Sequence, residues 1–473
     1  VPPTPPDSKT ALDHIEQHAR HTPDRIAITG PITQRSWAQF HADAKRVTKA
    51  LAKLEIQPGQ IVAISHPDRY IHWLLLIACE SLGAVSGSFT AEDPAEDVAP
   101  LLSLANLVLT KDRIGELIAQ DDKAEGHRRH PALPDAPLRI VRTSGSTGTP
   151  KYMTINRRMQ SYWLASLASY NSLGSATRFY VAYPPSVNPS YYRMETCLRL
   201  GATLIFGAVS QDLITYEATH CWLLPRDMVI LLQGVRGAWP SLQPLRMILG
   251  GGPVSATLHD QTAALLGTPV QIVYAANETG FIALQDRDGI GTILPDVDLQ
   301  IVDENGRPVP EGSPGIIAIR TPGLVEGYLN DPEANRAFFR DGRFFTDDAG
   351  LLLPDGRLRV LGRRSEILNL GGLKLSLAPI EALLRDKVGG LRDVAVTSLP
   401  NLQGIEEICI AIVSDGSANP AALLESVRQT LPPTLGKFWL MSFDRLPLGT
   451  SGKVQRSALK DIFRASQTAE KIH

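Results

Sequence analysis

Short apolar runs and helical patterns take turns from Thr10 to Leu109. Thr10 to Arg20 is patterned as a helix, Ile26 to Thr29 as a strand, and Ser36 to Leu54 as a long amphipathic helix. Ile61 to Ser65 reads as a strand, Trp73 to Leu82 as a buried helix, and Leu107 to Leu109 as another strand. An order of this kind predicts an α/β domain of layered sheets and helices. Asp121 to Pro137 is polar and reads as a surface linker. The rhythm then returns, with strands expected at Leu138–Val141, Tyr180–Tyr183, Ala202–Phe206, Met247–Leu249 and Val270–Tyr274. From Gly291 to about Arg359, Gly, Pro and Asp punctuate short strands such as Leu299–Val302 and Ile316–Arg320, which predicts a small β subdomain. Beyond Gly362 the chain mixes helix (Leu377–Arg385) and strand (Ile408–Val413), an α+β texture. At 473 residues the chain exceeds what one hydrophobic core holds, so two or three domains are expected.

A formal net charge of −2 supplies no basic field for nucleic acid. Cys79, Cys197, Cys221 and Cys409 are far apart and show no metal-type spacing, which predicts reduced thiols and a cytoplasmic protein. The Pro-rich start, Val1 to Pro6, lacks the basic and apolar regions of a signal peptide. The longest apolar run, Trp73 to Cys79, is far too short for a membrane span.

The strongest local signal is Thr143-Ser144-Gly145-Ser146-Thr147-Gly148-Thr149-Pro150-Lys151, directly after the strand Leu138–Val141. Glycines let backbone approach an anion closely. Amide N–H groups and hydroxyls can surround phosphate oxygens, and Lys151 adds a full charge. Pro150 stands where a Walker loop needs Gly, so this is a different phosphate loop.

The run resembles the signature loop of the adenylate-forming superfamily, which includes acyl-CoA synthetases, adenylation domains and luciferases. Four further segments are similar, in the family's order: Tyr274-Ala275-Ala276-Asn277-Glu278-Thr279, Gly327-Tyr328-Leu329-Asn330, Phe345-Thr346-Asp347-Asp348 with Gly362-Arg363 after it, and Pro447 to Lys453. The resemblance covers nearly the whole chain. It implies a large N-terminal unit, residues 1–362, holding ATP and the acid, and a small mobile C-terminal lid, residues 363–473, turning about a hinge at Ser365.

It also implies residue roles. Thr143 to Gly148 and Lys151 would hold the β- and γ-phosphates, and Glu278 would hold Mg²⁺. Tyr274 would stack on adenine beside Gly251 and Gly252, near Ala275 and Asn277. Asp348 would accept the ribose hydroxyls, with Arg363 reaching ribose or phosphate. Lys453 would bridge the carboxylate and the α-phosphate, then leave. Gly371 and Gly372 would line a tunnel for the thiol of CoA or phosphopantetheine. Asn188, Tyr191, Gly250 and Ala276 would border the acid pocket. Lys453 lies near the C-terminal end, so the acceptor is expected in trans, as CoA or a separate carrier protein.

The chain departs from the family pattern at Ala275 and Asp347, each in place of a Gly, at Asn277 in place of a Thr, and at the hinge, where Ser365 stands for Asp or Lys. An amide-forming ligase and a non-catalytic nucleotide binder are the competing readings. The substrate expectation rests on Asn188, which occupies the position where amino-acid-activating relatives carry an Asp. No Asp or Glu occurs from Phe179 to Met194, and an unpaired buried ammonium is costly. Tyr180, Tyr183, Tyr191 and Tyr192 in the same stretch suit an aryl or cyclic acid without an amino group.

Overall fold

A computed structural model of the protein describes residues 8–119, 130–131, 133–143, 150–207, 211–234, 244–364, 367–370, 373–400, 406–431, 438–448 and 454–469. The architecture is the expected layered α/β arrangement. The expected linker falls largely outside the described residues.

Helix ends follow local chemistry. Thr10 and Ser36 cap Ala11–His21 and Trp37–Ala52, each through a capping box. Asp68 accepts from the N–H groups of Tyr70 and Ile71 and so opens the helix Arg69–Leu82. Gly83 ends it with a left-handed φ of 73°. That helix is buried on nearly every face, which explains its almost unbroken apolar sequence.

Five strands form one sheet in the order Leu107–Leu109, Ile61–Ile64, Val85–Ser88, Pro137–Thr143 and Lys151–Asn156. All junctions are parallel except the last, a hairpin that sets Thr143 opposite Lys151. A larger sheet changes character halfway along. One half is parallel: Gln271–Ala276, Arg246–Gly250, His220–Leu223, Arg178–Tyr180, Thr203–Ile205 and Ile26–Thr29. The other half is antiparallel and starts at the hairpin joining Gln271–Ala276 to Gly280–Gln285. The strands expected as a β subdomain have their own apolar cluster, around Ile282, Ile301, Ile317 and Leu358. Their ladder nevertheless runs continuously into the parallel half through Ile290–Ile293 and Leu358–Arg363.

Beyond residue 376, the strands Leu391–Pro400, Glu406–Ser414 and Phe438–Ser442 form a three-stranded sheet. Alternation sorts its side chains. Val394, Val396, Ile408 and Ile410 pack with Leu384 and Val427. Ala395, Leu399, Cys409 and Ala411 face the other way, against Leu459 and Phe463.

A buried charge cluster knits three helices of the larger part. Arg157 donates to Glu80 at 2.8 Å, with side chains only 6 % and 3 % exposed. Arg199 stands 3.7 Å from Glu80 and 3.9 Å from Glu195. Glu195 also accepts from the indole N–H of Trp73 at 2.9 Å. Burial, with Glu80 nearby, raises the Glu195 carboxyl above the usual carboxylate range. All four cysteines are buried. No described helix is long and apolar enough to cross a membrane.

Candidate active site

Ligands of open α/β sheets bind beyond the carboxyl ends of parallel strands, where the strand order or direction switches. In this chain that region is a cleft of about 1650 Å³. Thr143, Lys151, Asn188, Gly250, Gly251, Gly252, Tyr274, Ala275, Ala276, Asn277, Glu278, Asp348 and Arg363 all line it. Sequence segments far apart are therefore brought to one cleft. Ser144, Gly145, Ser146, Thr147, Gly148, Ser365, Gly371, Gly372 and Lys453 lie outside the described residues.

The central contact is built on Tyr328. Its hydroxyl donates to the Glu278 carboxylate at 2.8 Å. Its ring lies 5.8 Å from the Lys151 ammonium, and the Phe338 ring is at 5.6 Å. Backbone bonds hold this segment on both sides. Leu329 N–H donates to the Tyr152 carbonyl at 2.6 Å, and Val325 N–H to the Glu278 carbonyl at 3.0 Å. Burial and the neighbouring Glu278 carboxylate raise the Tyr328 phenol well above its ordinary value, so it acts as a donor at neutral pH. Glu278 itself is 8 % exposed and sits at the tip of the hairpin where the large sheet turns antiparallel. Gly280 follows with φ 81°, and a Cβ there would lie 2.7 Å from the Trp163 ring. Glycine thus permits both the turn and the close approach.

A second contact links Tyr274 to Asp348, whose carboxylate accepts the phenol proton at 2.7 Å. Asp348 is paired across the ladder with Arg363. Thr346 steadies it by accepting from the Asp348 N–H at 3.1 Å. Tyr274, expected only as an adenine platform, is thus also a partner of the proposed ribose ligand. Gly251 has φ 83°, and a Cβ there would press on Leu224 at 2.7 Å, which fixes glycine beside this end.

The third group borders the acid side. Asn188 donates to Asn277 at 3.2 Å and accepts from Arg139 at 3.4 Å. Tyr191, expected at the pocket, is instead 2 % exposed, with the Arg139 guanidinium 3.4 Å over its ring. The wall position falls to its neighbour Tyr192, which packs edge-on to Trp163. The helix Asn188–Leu200 is buried around most of its circumference, so periodicity alone does not separate wall from core.

Arg193, Trp222 and Phe281 also line this end and were not singled out from sequence. Arg193 is the one charged residue between Phe179 and Met194, a signal available in the sequence. Among the described residues no cluster of three or more His, Cys, Asp or Glu could hold a metal by itself. A Mg²⁺ ion here would need phosphate oxygens beside the Glu278 carboxylate, the donor set that hard ion prefers.

The mixed sheet and the clustered motifs are those of the adenylate-forming class of proteins. The family model described as AMP-binding enzyme matches residues 15–329, and the chain belongs to that family. It is similar to bacitracin synthase 3 of Bacillus licheniformis, 25 % identical over 498 residues that span 96 % of this chain and 8 % of that protein. The chain therefore spans only a small part of that synthase. Indoleacetate–CoA ligase of Aromatoleum aromaticum (strain DSM 19018 / LMG 30748 / EbN1) is 25 % identical over 501 residues, spanning 95 % of this chain and 97 % of that enzyme. The O-succinylbenzoate coenzyme A synthetase of Bacillus subtilis, solved with AMP, has the same fold. Its TM-score is 0.82 at 23 % identity, with 96 % of this chain and 98 % of that one covered.

Proposed function

We propose that this chain is an ATP-dependent acid–thiol ligase. It joins a carboxylic acid to AMP and then passes the acyl group to the pantetheine thiol of CoA or a carrier protein. The observation that carries this is the junction of Lys151, Tyr328 and Glu278 in the same cleft as the Tyr274–Asp348–Arg363 group. One group suits a phosphate chain with its ion, the other a ribose. The similarity to a CoA ligase over nearly its full length supports the thiol acceptor.

In the first step a carboxylate oxygen bonds to the α-phosphorus, the bond to the bridging oxygen breaks, and pyrophosphate leaves. Both partners are anionic, so the protein's work is charge neutralisation and positioning. Lys151 and the loop before it would neutralise the outer phosphates. Glu278, held by Tyr328, would supply a carboxylate oxygen to Mg²⁺, which offsets charge on the phosphate chain. Asp348 would orient the ribose, with Tyr274 fixing its rotamer. In the second step the thiol sulfur bonds to the acyl carbon, AMP leaves, and the thiol proton passes to solvent.

We place the boundary between residues 1–362 and 363–473. Among the described residues, the apolar clusters of Leu377 onward draw only on that later part, which supports two separately packed bodies. Ser365 is the proposed pivot, Lys453 the mobile lysine, and Gly371 and Gly372 the thiol tunnel. Lys453→Ala is expected to lower acid activation by about a hundredfold. Conversion of a supplied acyl-adenylate to thioester should persist. Equal loss in both half-reactions would contradict a lysine used in one step only.

The direct test is ATP–pyrophosphate exchange across a panel of aryl, alkyl and α-amino acids. Thiol acceptors and amines are offered afterwards. Faster exchange with an α-amino acid than with every simple acid would overturn the choice of a non-amino acid. An amide product in preference to a thioester would overturn the acceptor. No exchange with any acid would overturn the activity itself.

A further inference from the structure

Arg193 is 3 % exposed, yet it is one of the residues that line the cleft. One nitrogen donates to the Pro189 carbonyl at 2.8 Å, within its own helix. Its Nε is buried and makes no hydrogen bond. The guanidinium lies 4.5 Å from the Trp222 ring and 5.9 Å from the Phe281 ring. Among the described residues no carboxylate pairs with it. The nearest acid in sequence, Glu195, is engaged by Trp73 and stands near Arg199. Asp227, next in sequence to the cleft residue Arg226, accepts from the Tyr183 hydroxyl and pairs with Arg226. Burial lowers even this guanidinium to about 9. A buried cation without a counter-charge is costly, and aromatic faces offset only part of that cost.

The position along the helix matters as much as the charge. Arg193 stands five residues beyond Asn188, about 7.5 Å along the helix axis. Asn188 bonds to Asn277, the neighbour of Glu278, and so marks the nucleotide end of the acid pocket. Arg193 marks the far end, between Trp222 and Phe281. The geometry points to a substrate with two anionic ends, a dicarboxylic acid whose body lies against the aromatic wall and whose second carboxylate pairs with Arg193. This rests on the acid-activation reading and narrows its substrate class. A planar guanidinium suits a carboxylate through two parallel N–H donors, and Nε is one nitrogen of that fork.

The test compares ATP–pyrophosphate exchange for benzene-1,4- and 1,3-dicarboxylate and for straight-chain α,ω-dicarboxylates, each against its monoamide. The monoamide keeps shape and removes the second charge. The best diacid is expected to exceed its monoamide by about thirtyfold in kcat/KM. In Arg193→Gln that ratio should fall at least tenfold, and Arg193→Lys should keep part of it. Monoamides or simple acids matching every diacid would overturn the proposal while leaving acid activation standing. A ratio unmoved in Arg193→Gln would do the same, and would make Arg193 a brace for Trp222. If no acid supports exchange, activation itself has failed. Calorimetric binding of benzene-1,4-dicarboxylate then decides: loss of binding in Arg193→Gln supports the anion site, and absent or equal binding in the two proteins overturns it.

Discussion

Glu278→Gln is expected to lower ATP–pyrophosphate exchange by about a thousandfold, roughly 4 kcal/mol of transition-state stabilisation. The change removes one negative charge and keeps the shape. The Tyr328 hydroxyl, 2.8 Å from Oε1, can still donate to the amide oxygen, so the hairpin and the neighbouring segment should stay in place. What disappears is the carboxylate that would hold Mg²⁺ against the phosphates. Part of the rate should return at raised Mg²⁺. Tyr328→Phe is the control: it removes only the hydrogen bond that aims Glu278 and should cost on the order of 1 kcal/mol. Exchange rates over a Mg²⁺ series read both variants. An unchanged Mg²⁺ dependence in Glu278→Gln would assign the carboxylate to structure.

The second large effect is on stability. Arg157→Met should destabilise the larger part of the molecule by about 3–5 kcal/mol, because it strips Glu80 of its 2.8 Å partner inside a nearly dry interior. Arg199, at 3.7 Å, is too long a contact to replace it. Arg157→Met combined with Glu80→Leu should recover most of the loss, since an apolar pair of similar volume avoids burying a lone charge. Urea denaturation followed by tryptophan fluorescence measures both, with Trp73 beside the cluster. A single variant losing less than about 1 kcal/mol, or a double variant no better than the single, would show the pair to be incidental. The effect should reach the active site, because Glu195 and Arg199 belong to the helix that presents Asn188, Tyr192 and Arg193.

Much of the fold was legible because local chemistry and burial agree. The helices expected at Thr10–Arg20 and Ser36–Leu54 lie at Ala11–His21 and Trp37–Ala52, and the one expected from Trp73 begins a turn earlier, at Arg69, because Asp68 caps it. The strand before the phosphate loop is longer than its apolar run suggests. Thr143 is its last residue because the hairpin pairs it with Lys151. The second arm, Lys151–Asn156, escaped notice because its apolar residues are broken by Lys151, Thr154 and Asn156. The chemistry-bearing motif residues were readable as a set, and Thr143, Lys151, Tyr274, Glu278, Asp348 and Arg363 do line one cleft. The acid end was less readable. Tyr191 and Tyr192 are adjacent and chemically identical, and only the rotation of their helix decides which is covered by Arg139. Buried arginines also defeat a reading based on hydrophobicity. Arg139 and Arg193 are 2 % and 3 % exposed, and their sequence neighbours give no periodic sign of it.

The place of the first strand has a consequence for synthesis. Ile26–Thr29 pairs in parallel with Thr203–Ile205, and the Thr203 hydroxyl donates to the Ile26 carbonyl across 177 residues. At 5–20 residues per second, the ribosome needs roughly 10 to 35 s to supply the partner. During that interval one edge of this apolar strand, the edge that will meet Thr203–Ile205, waits outside the tunnel with its backbone groups unpaired. The helices Ala11–His21 and Trp37–Ala52 can fold with Arg69–Leu82 in the meantime, while the strand between the first two has only its short antiparallel pairing with Arg35–Ser36. Closure of this edge of the large sheet is therefore timed by the arrival of residue 205, long after the helices on either side of the strand are made.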